Sequence, residues 1–127
     1  HFDLDNLDKP IFIQIAEQLK DGILKEIYLE DGQIPSSTEI SLTYKINPAT
    51  VNKGVNLLVE EGIVYKKRGV GMFVCTGAVK KILNDRQNAF YDSFIVPLID
   101  EADKLSISKE DIIKLINKEI KTKENEN

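Results

Sequence analysis

Residues 36–74 read SSTEISLTYKINPATVNKGVNLLVEEGIVYKKRGVGMFV. The stretch is predicted to form a short helix, a turn, a second helix and a hairpin. Asn47-Pro48 opens the second helix: Asn accepts from the orphan N–H groups of the first turn, and proline at the first helical position has no N–H to lose. Gly62 closes it, since glycine takes a left-handed C-cap without steric cost. Between them Val51, Val55 and Leu58 fall on one stripe, with Gly54 small enough to let a neighbouring helix approach. Ala49, Thr50, Asn52, Lys53 and Asn56 are left for another face, which has no acid. Glu60 and Glu61 stand only at the far end. A helix that enters a DNA groove by its N-terminus has this layout. An ordinary amphipathic helix with a solvated polar side has it too.

The hairpin adds to the pattern. Ile63-Val64-Tyr65 and Met72-Phe73-Val74 are apolar, β-prone strands around Lys66-Lys67-Arg68-Gly69-Val70-Gly71. The cations Lys66, Lys67 and Arg68 have no acidic neighbour in the turn and are available to phosphates. Arg68 beside Gly69 suits a minor groove, where glycine permits close backbone approach. A solvated turn that keeps the hairpin soluble is the plainer account. Helix, turn, helix and basic-tipped hairpin together are the layout of a winged helix-turn-helix. The expected fold class is mainly α (α+β): a winged helix-turn-helix with a two-stranded wing, followed by a two-helix C-terminal extension.

Outward from this stretch, residues 1–8 form an acidic lead-in. A first helix is expected from Pro10 to about Tyr28, with Ile11, Ile15, Leu19, Ile23 and Ile27 as one core-facing stripe. Leu29 to Ile34 connect it to the second helix. Ser36 or Ser37 caps that helix, Glu39 completing a capping box with Ser36. After Gly77, Val79, Ile82, Leu83, Phe90 and Phe94 outline an apolar face on a helix of about 20 residues or more, the kind of stripe a buried helix face needs. Pro97 should kink or interrupt it. Ser106-Ile107 make a break, and Ser108 with Asp111 starts a last helix bearing Ile112, Ile113, Leu115, Ile116 and Ile120. The domains so read are 1–76, 77–121 and a frayed polar tail at 122–127.

Two such helices make too small a core to stand alone. Their stripe must pack on the winged helix or on a second copy. Val79, Ile82, Leu83, Phe90, Phe94, Ile112 and Ile116 are therefore the candidate dimerisation residues, and a twofold dimer would set two recognition helices on a palindromic site.

The chain has 127 residues, 42% apolar and 30% charged, as in an ordinary soluble globular protein. No apolar run is long enough to span a bilayer and no signal peptide is visible, so no membrane partner is expected. The single cysteine, Cys75, excludes an intramolecular disulfide and suits a reducing cytoplasm. It is expected to be a small buried group. One His and one Cys supply no usual metal shell, and no nucleophile, base and orienter can be assembled. No enzyme, metal or cofactor is expected. The net charge of −4 counts against nucleic acid, but the charge is segregated. Residues 1–31 hold three lysines and eight carboxylates, whereas residues 45–68 hold five cations and two glutamates. A basic patch on an acidic body can bind DNA with modest, salt-sensitive affinity.

PIFIQIAEQLKDGIL, IPSSTEI, NPATVNKGVNLLVEEGIV and RGVGMFV stand in an order and spacing that resemble the winged-helix domain of GntR-type bacterial transcription regulators. The sequence after Val74 is similar to the short two-helix tail of the YtrA-like branch. The resemblance covers roughly residues 9–121 and implies a cytoplasmic, homodimeric regulator of double-stranded DNA, a repressor by expectation. It places DNA contacts at Thr38 and Asn52, and with the helix starts and basic tip read above the candidate DNA-binding residues are Ser36, Thr38, Asn47, Pro48, Ala49, Thr50, Asn52, Lys53, Lys67, Arg68 and Gly69. The family usually carries arginine where this chain has Thr38 and Asn52, so target sequence does not carry over. Asn pairs with adenine where arginine prefers guanine, which implies an operator richer in A·T at the base read by Asn52. The short tail leaves a small effector room only between subunits. The alternative function is a winged-helix protein–protein interaction module without specific DNA binding.

Overall fold

The computed structural model describes residues 8–127, so the lead-in expected at residues 1–8 lies, Asp8 apart, outside the described residues. The described residues form two compact units, 8–85 and 86–127.

The first unit is built on α1 (Ile11–Leu24). Ile15, Leu19 and Ile23 of α1 are buried, but Ile11 and Ile27 are 47% and 66% exposed. The expected five-residue stripe is therefore three residues long. The helix stops at Leu24 because Glu26 takes a left-handed φ of 63°. Glu26 N–H then donates to the Ile23 carbonyl and Ile27 N–H to that of Gly22, a Schellman end. A non-glycine residue at that position left no sequence signal. After the short connection, Ser36 caps α2 (Ser37–Tyr44) in the expected capping box.

Asn47 caps α3 (Pro48–Glu60), its side chain accepting from Ala49 N–H at 2.8 Å. Gly62, at φ 75°, closes α3 with bonds from Gly62 N–H to Val59 and from Ile63 N–H to Leu58. Val51, Val55 and Leu58 bury against α1 and Ile40, and Ile34, Ile63, Val64 and Val74 complete the core. Gly54 sets the distance between α1 and α3: a Cβ there would lie 2.7 Å from the Phe12 carbonyl oxygen. Lys20 of α1 pairs with Glu61 at 2.6 Å, neutralising one acid behind α3.

The wing is an antiparallel pair, β1 (Val64–Lys67) and β2 (Gly71–Val74), registered Val64 to Val74 and Lys67 to Gly71. β1 is longer than expected. Lys66 and Lys67 belong to the strand, and the turn is only Arg68-Gly69-Val70. The connection before α2 lines the free edge of β2, with Asp31 N–H on Val74, Ile34 N–H on Met72 and Val74 N–H on Gly32.

α4 (Ala78–Phe90) follows. The Glu30 carboxylate accepts from Gly77 N–H at 2.9 Å and Val79 N–H at 3.0 Å, serving the orphan donors at the start of α4. Those bonds, Gly77 first, hold its carboxyl below the usual range. Asp31 accepts from the Thr76 hydroxyl at 3.0 Å. Cys75 is half-buried, and burial followed by Asp31 pushes its thiol up. Ala78 and Ile82 are buried in the first unit's core, with Val79 packed beside them. The boundary between the two compact units falls inside α4, after Asp85.

In the second unit α4 runs into a π-helical turn, Tyr91–Ile95, and then α5 (Val96–Lys104). The interruption expected at Pro97 is this widened turn just before it. Pro97 sits in the first turn of α5, and the extra residue of the π turn accommodates a ring that has no N–H to donate. Ser106, at φ 56°, ends α5, and Ser108 caps α6 (Lys109–Glu126) by accepting from Asp111 N–H. The tail expected to fray from residue 122 is helical to Glu126, because Lys and Glu, though polar, are good helix formers. Among the described residues no helix is long and apolar enough to cross a membrane.

Candidate nucleic-acid interface

α2 packs on α3 and leaves the N-terminal half of α3 uncovered. Asn47, Pro48, Ala49, Asn52 and Lys53 are exposed, and Thr50 is half-buried. Asn47 and Pro48 are spent on starting the helix. Ala49, Asn52, Lys53 and Asn56 line an open depression of about 510 Å³ with Phe12, Leu57 and Glu60. The first turn of α3 contains no acid, so its unpaired N–H groups and positive dipole end meet no local negative charge. The Lys53 ammonium lies 4.1 Å from the centre of the Phe12 ring, a weak cation–π contact beside the first turn of α1.

At the start of α2, Thr38 is exposed and points no charge outward. Ser36 is half-buried and committed: its hydroxyl accepts from Glu39 N–H at 3.0 Å, and its own N–H donates to the Glu39 carboxylate at 3.3 Å. A carboxylate therefore already occupies this helix start, which works against the phosphate contact expected at Ser36.

On the wing, Tyr65 and Phe73 stack across the strands at 5.8 Å, and the Lys67 ammonium lies 5.6 Å from the Phe73 ring. Arg68 and Gly69 form the exposed tip, Gly69 at φ 75° with nothing within 4 Å of where a Cβ would stand. Phe12 and Gln33 are the residues that sequence reasoning missed. Phe12 is one apolar residue among several in α1, and Gln33 is a polar loop residue whose contact is 37 positions away.

Of the expected dimerisation residues, Ile82 is buried in its own unit, and Val79 is half-buried against the same core. Periodicity marks an apolar face but not which core it joins. Leu83, Phe90, Phe94 and Ile116 are exposed, and Ile112 is half-buried beside Ala102. Leu98, Ala102, Leu105, Ile107, Ile112 and Ile116 line an apolar groove of about 230 Å³ in the second unit. Among the described residues no group of His, Cys, Asp and Glu could hold a metal ion.

An exposed, acid-free helix start above a capped turn, followed by a basic-tipped hairpin, defines a winged helix-turn-helix protein. Comparison with known proteins narrows this. The profile of the gntR family of bacterial regulatory proteins matches residues 13–74. The transcriptional repressor YtrA of Bacillus subtilis is 30% identical over 91 residues, which is 72% of this chain and 70% of that protein. A GntR-family protein of Bacteroides thetaiotaomicron, 33% identical, superposes with a TM-score of 0.69 over 89% of this chain and 98% of its own. A GntR-family transcriptional regulator of Listeria monocytogenes, 28% identical, does so with a TM-score of 0.72 over 89% and 97%. Other curated relatives are longer, and the chain spans 31% and 16% of two of them. The chain belongs to the gntR family and is a transcriptional regulator.

Proposed function

We propose that this regulator is a cytoplasmic repressor of the YtrA-like branch, which binds a palindromic operator in double-stranded DNA as a homodimer. The observation that carries the proposal is the uncovered, acid-free N-terminal half of α3, where Asn52 and Lys53 stand out from a helix whose other face is wholly buried. In this reading α3 enters the major groove, and Lys67, Arg68 and Gly69 reach the neighbouring minor groove or its phosphates. Thr38 faces the phosphates from the side. The exposed apolar side chains of the second unit, Phe90 and Phe94 at 54% and 63% and Ile116 at 44%, would be covered by a second copy. The 70% coverage of YtrA supports the same branch. Repression follows from occupying a promoter.

Fluorescence anisotropy on duplex DNA from the chain's own promoter, against scrambled duplex at two salt concentrations, tests the proposal. Tighter binding to the promoter duplex that weakens with salt is the expected result. Equal, weak binding to both would count against specific binding by the chain alone and point to a missing ligand or a protein partner.

Asn52 gives a finer outcome. Selection of binding sites from a random pool should return adenine or thymine at one position in each half-site. Asn52→Ala should relax that preference by about 1–3 kcal/mol. A guanine there, unchanged in the variant, would remove Asn52 from the base-reading set.

A further inference from the structure

We infer that Gln33, a residue of the connection before α2, is a positioning residue for the wing tip; the inference rests on the DNA-binding reading above. The connection runs antiparallel beside β2, with Gln33 opposite Phe73. Ile34 N–H donates to Met72 at 3.0 Å and Val74 N–H to Gly32 at 2.9 Å, so the base of β2 is held by backbone bonds. Those bonds stop at Met72. Toward the tip, the bond from this connection is the Gln33 carboxamide, whose Nε2 donates to the Val70 carbonyl at 3.1 Å. Val70 closes the turn that carries Arg68 and Gly69, its N–H donating to Lys67 at 2.9 Å.

Gly71 supports the same assignment from the other side. Its φ is 146°, and a Cβ on it would run into the Gln33 carboxamide nitrogen. The glycine thus makes room for the glutamine to reach past the strand. A side chain of the body therefore grips the turn from outside the hairpin. A two-stranded ribbon of four residues a side twists and sways freely on its own. Fixing its tip lowers the ordering cost of placing Arg68 against DNA. Gln33 touches no DNA in this arrangement and acts through the tip.

The test compares Gln33→Leu, Arg68→Ala and the double variant for binding to promoter duplex, with trypsin cleavage of the free protein after Lys67 and Arg68. Gln33 is exposed, so the fold should survive the change. Expected are a roughly three- to tenfold weaker affinity for Gln33→Leu, as loss of one hydrogen bond allows, and faster cleavage at the tip. The loss in the double variant should be smaller than the product of the two single losses. Unchanged cleavage, or losses that simply multiply in the double variant, would overturn the role of Gln33. Should Arg68→Ala bind as the parent does, the DNA-contacting wing itself would fall, and Gln33's role with it. Weaker binding by Arg68→Ala with parental binding by Gln33→Leu would overturn the role of Gln33 and leave the wing standing.

Discussion

Reversing charge at the wing, by Lys67→Glu with Arg68→Glu, is expected to lower affinity for the operator more than about 100-fold and to make the salt dependence shallower by about two counterions. Both residues are exposed. The aromatic contact of Lys67, at 5.6 Å from Phe73, contributes only on the order of 0.5–1 kcal/mol at such a site. The thermal melt should therefore stay close to that of the parent, and so should the oligomeric state. The net charge of the chain is −4, while residues 45–68 hold five cations against two glutamates. An acidic body depends on a few well-placed cations, and two of them are removed here. Affinity within threefold of the parent would show that the hairpin does not meet phosphates. Loss of a protein complex with DNA binding intact would favour the interaction-module reading.

The second large effect concerns stability. Gly54→Ala places a good helix former in the middle of α3, which by propensity alone would stabilise it by about 1 kcal/mol. Packing opposes this and wins. The new Cβ would lie 2.7 Å from the Phe12 carbonyl oxygen and 3.2 Å from Ile15 side-chain atoms. Backbone cannot swing aside, so α1 and α3 must separate, at a net cost of about 1–3 kcal/mol. For a unit of this size the melting temperature should fall by roughly 5–15 °C. A calorimetric scan reads it directly. A melting temperature at or above that of the parent would mean that the two helices part without cost. The same displacement would move the Phe12 ring from beneath Lys53, so DNA affinity should fall with stability.

The parts of this fold that local chemistry dictates were legible in the sequence. The Asn47-Pro48 start, the Ser36–Glu39 capping box and the Gly62 end of α3 are each written in adjacent residues, and each is found as expected. Long-range choices were not. Glu26 ends α1 in a conformation glycine normally takes, so Ile27 keeps the period of the stripe but lies beyond the helix, exposed. Ile82 lies on an apolar face, but the face is filled from within the same unit, and periodicity cannot distinguish an internal neighbour from a second copy. The site divides in the same way. The exposed helix start and the basic tip follow from residue type and order. That Lys53 rests on Phe12, and that Ser36 is occupied by Glu39, depends on which side chains the fold brings together.

The connection beside β2 has one more consequence, for solubility. A bare hairpin offers a row of unsatisfied N–H and C=O groups along each edge, and either row can recruit a strand from another molecule. Here Asp31 to Ile34 occupy the β2 row with the chain's own backbone. β1 carries Lys66 and Lys67, whose like charges repel an approaching copy of the same strand. A protruding hairpin is thereby kept from growing into an intermolecular sheet in the interval before it meets its target.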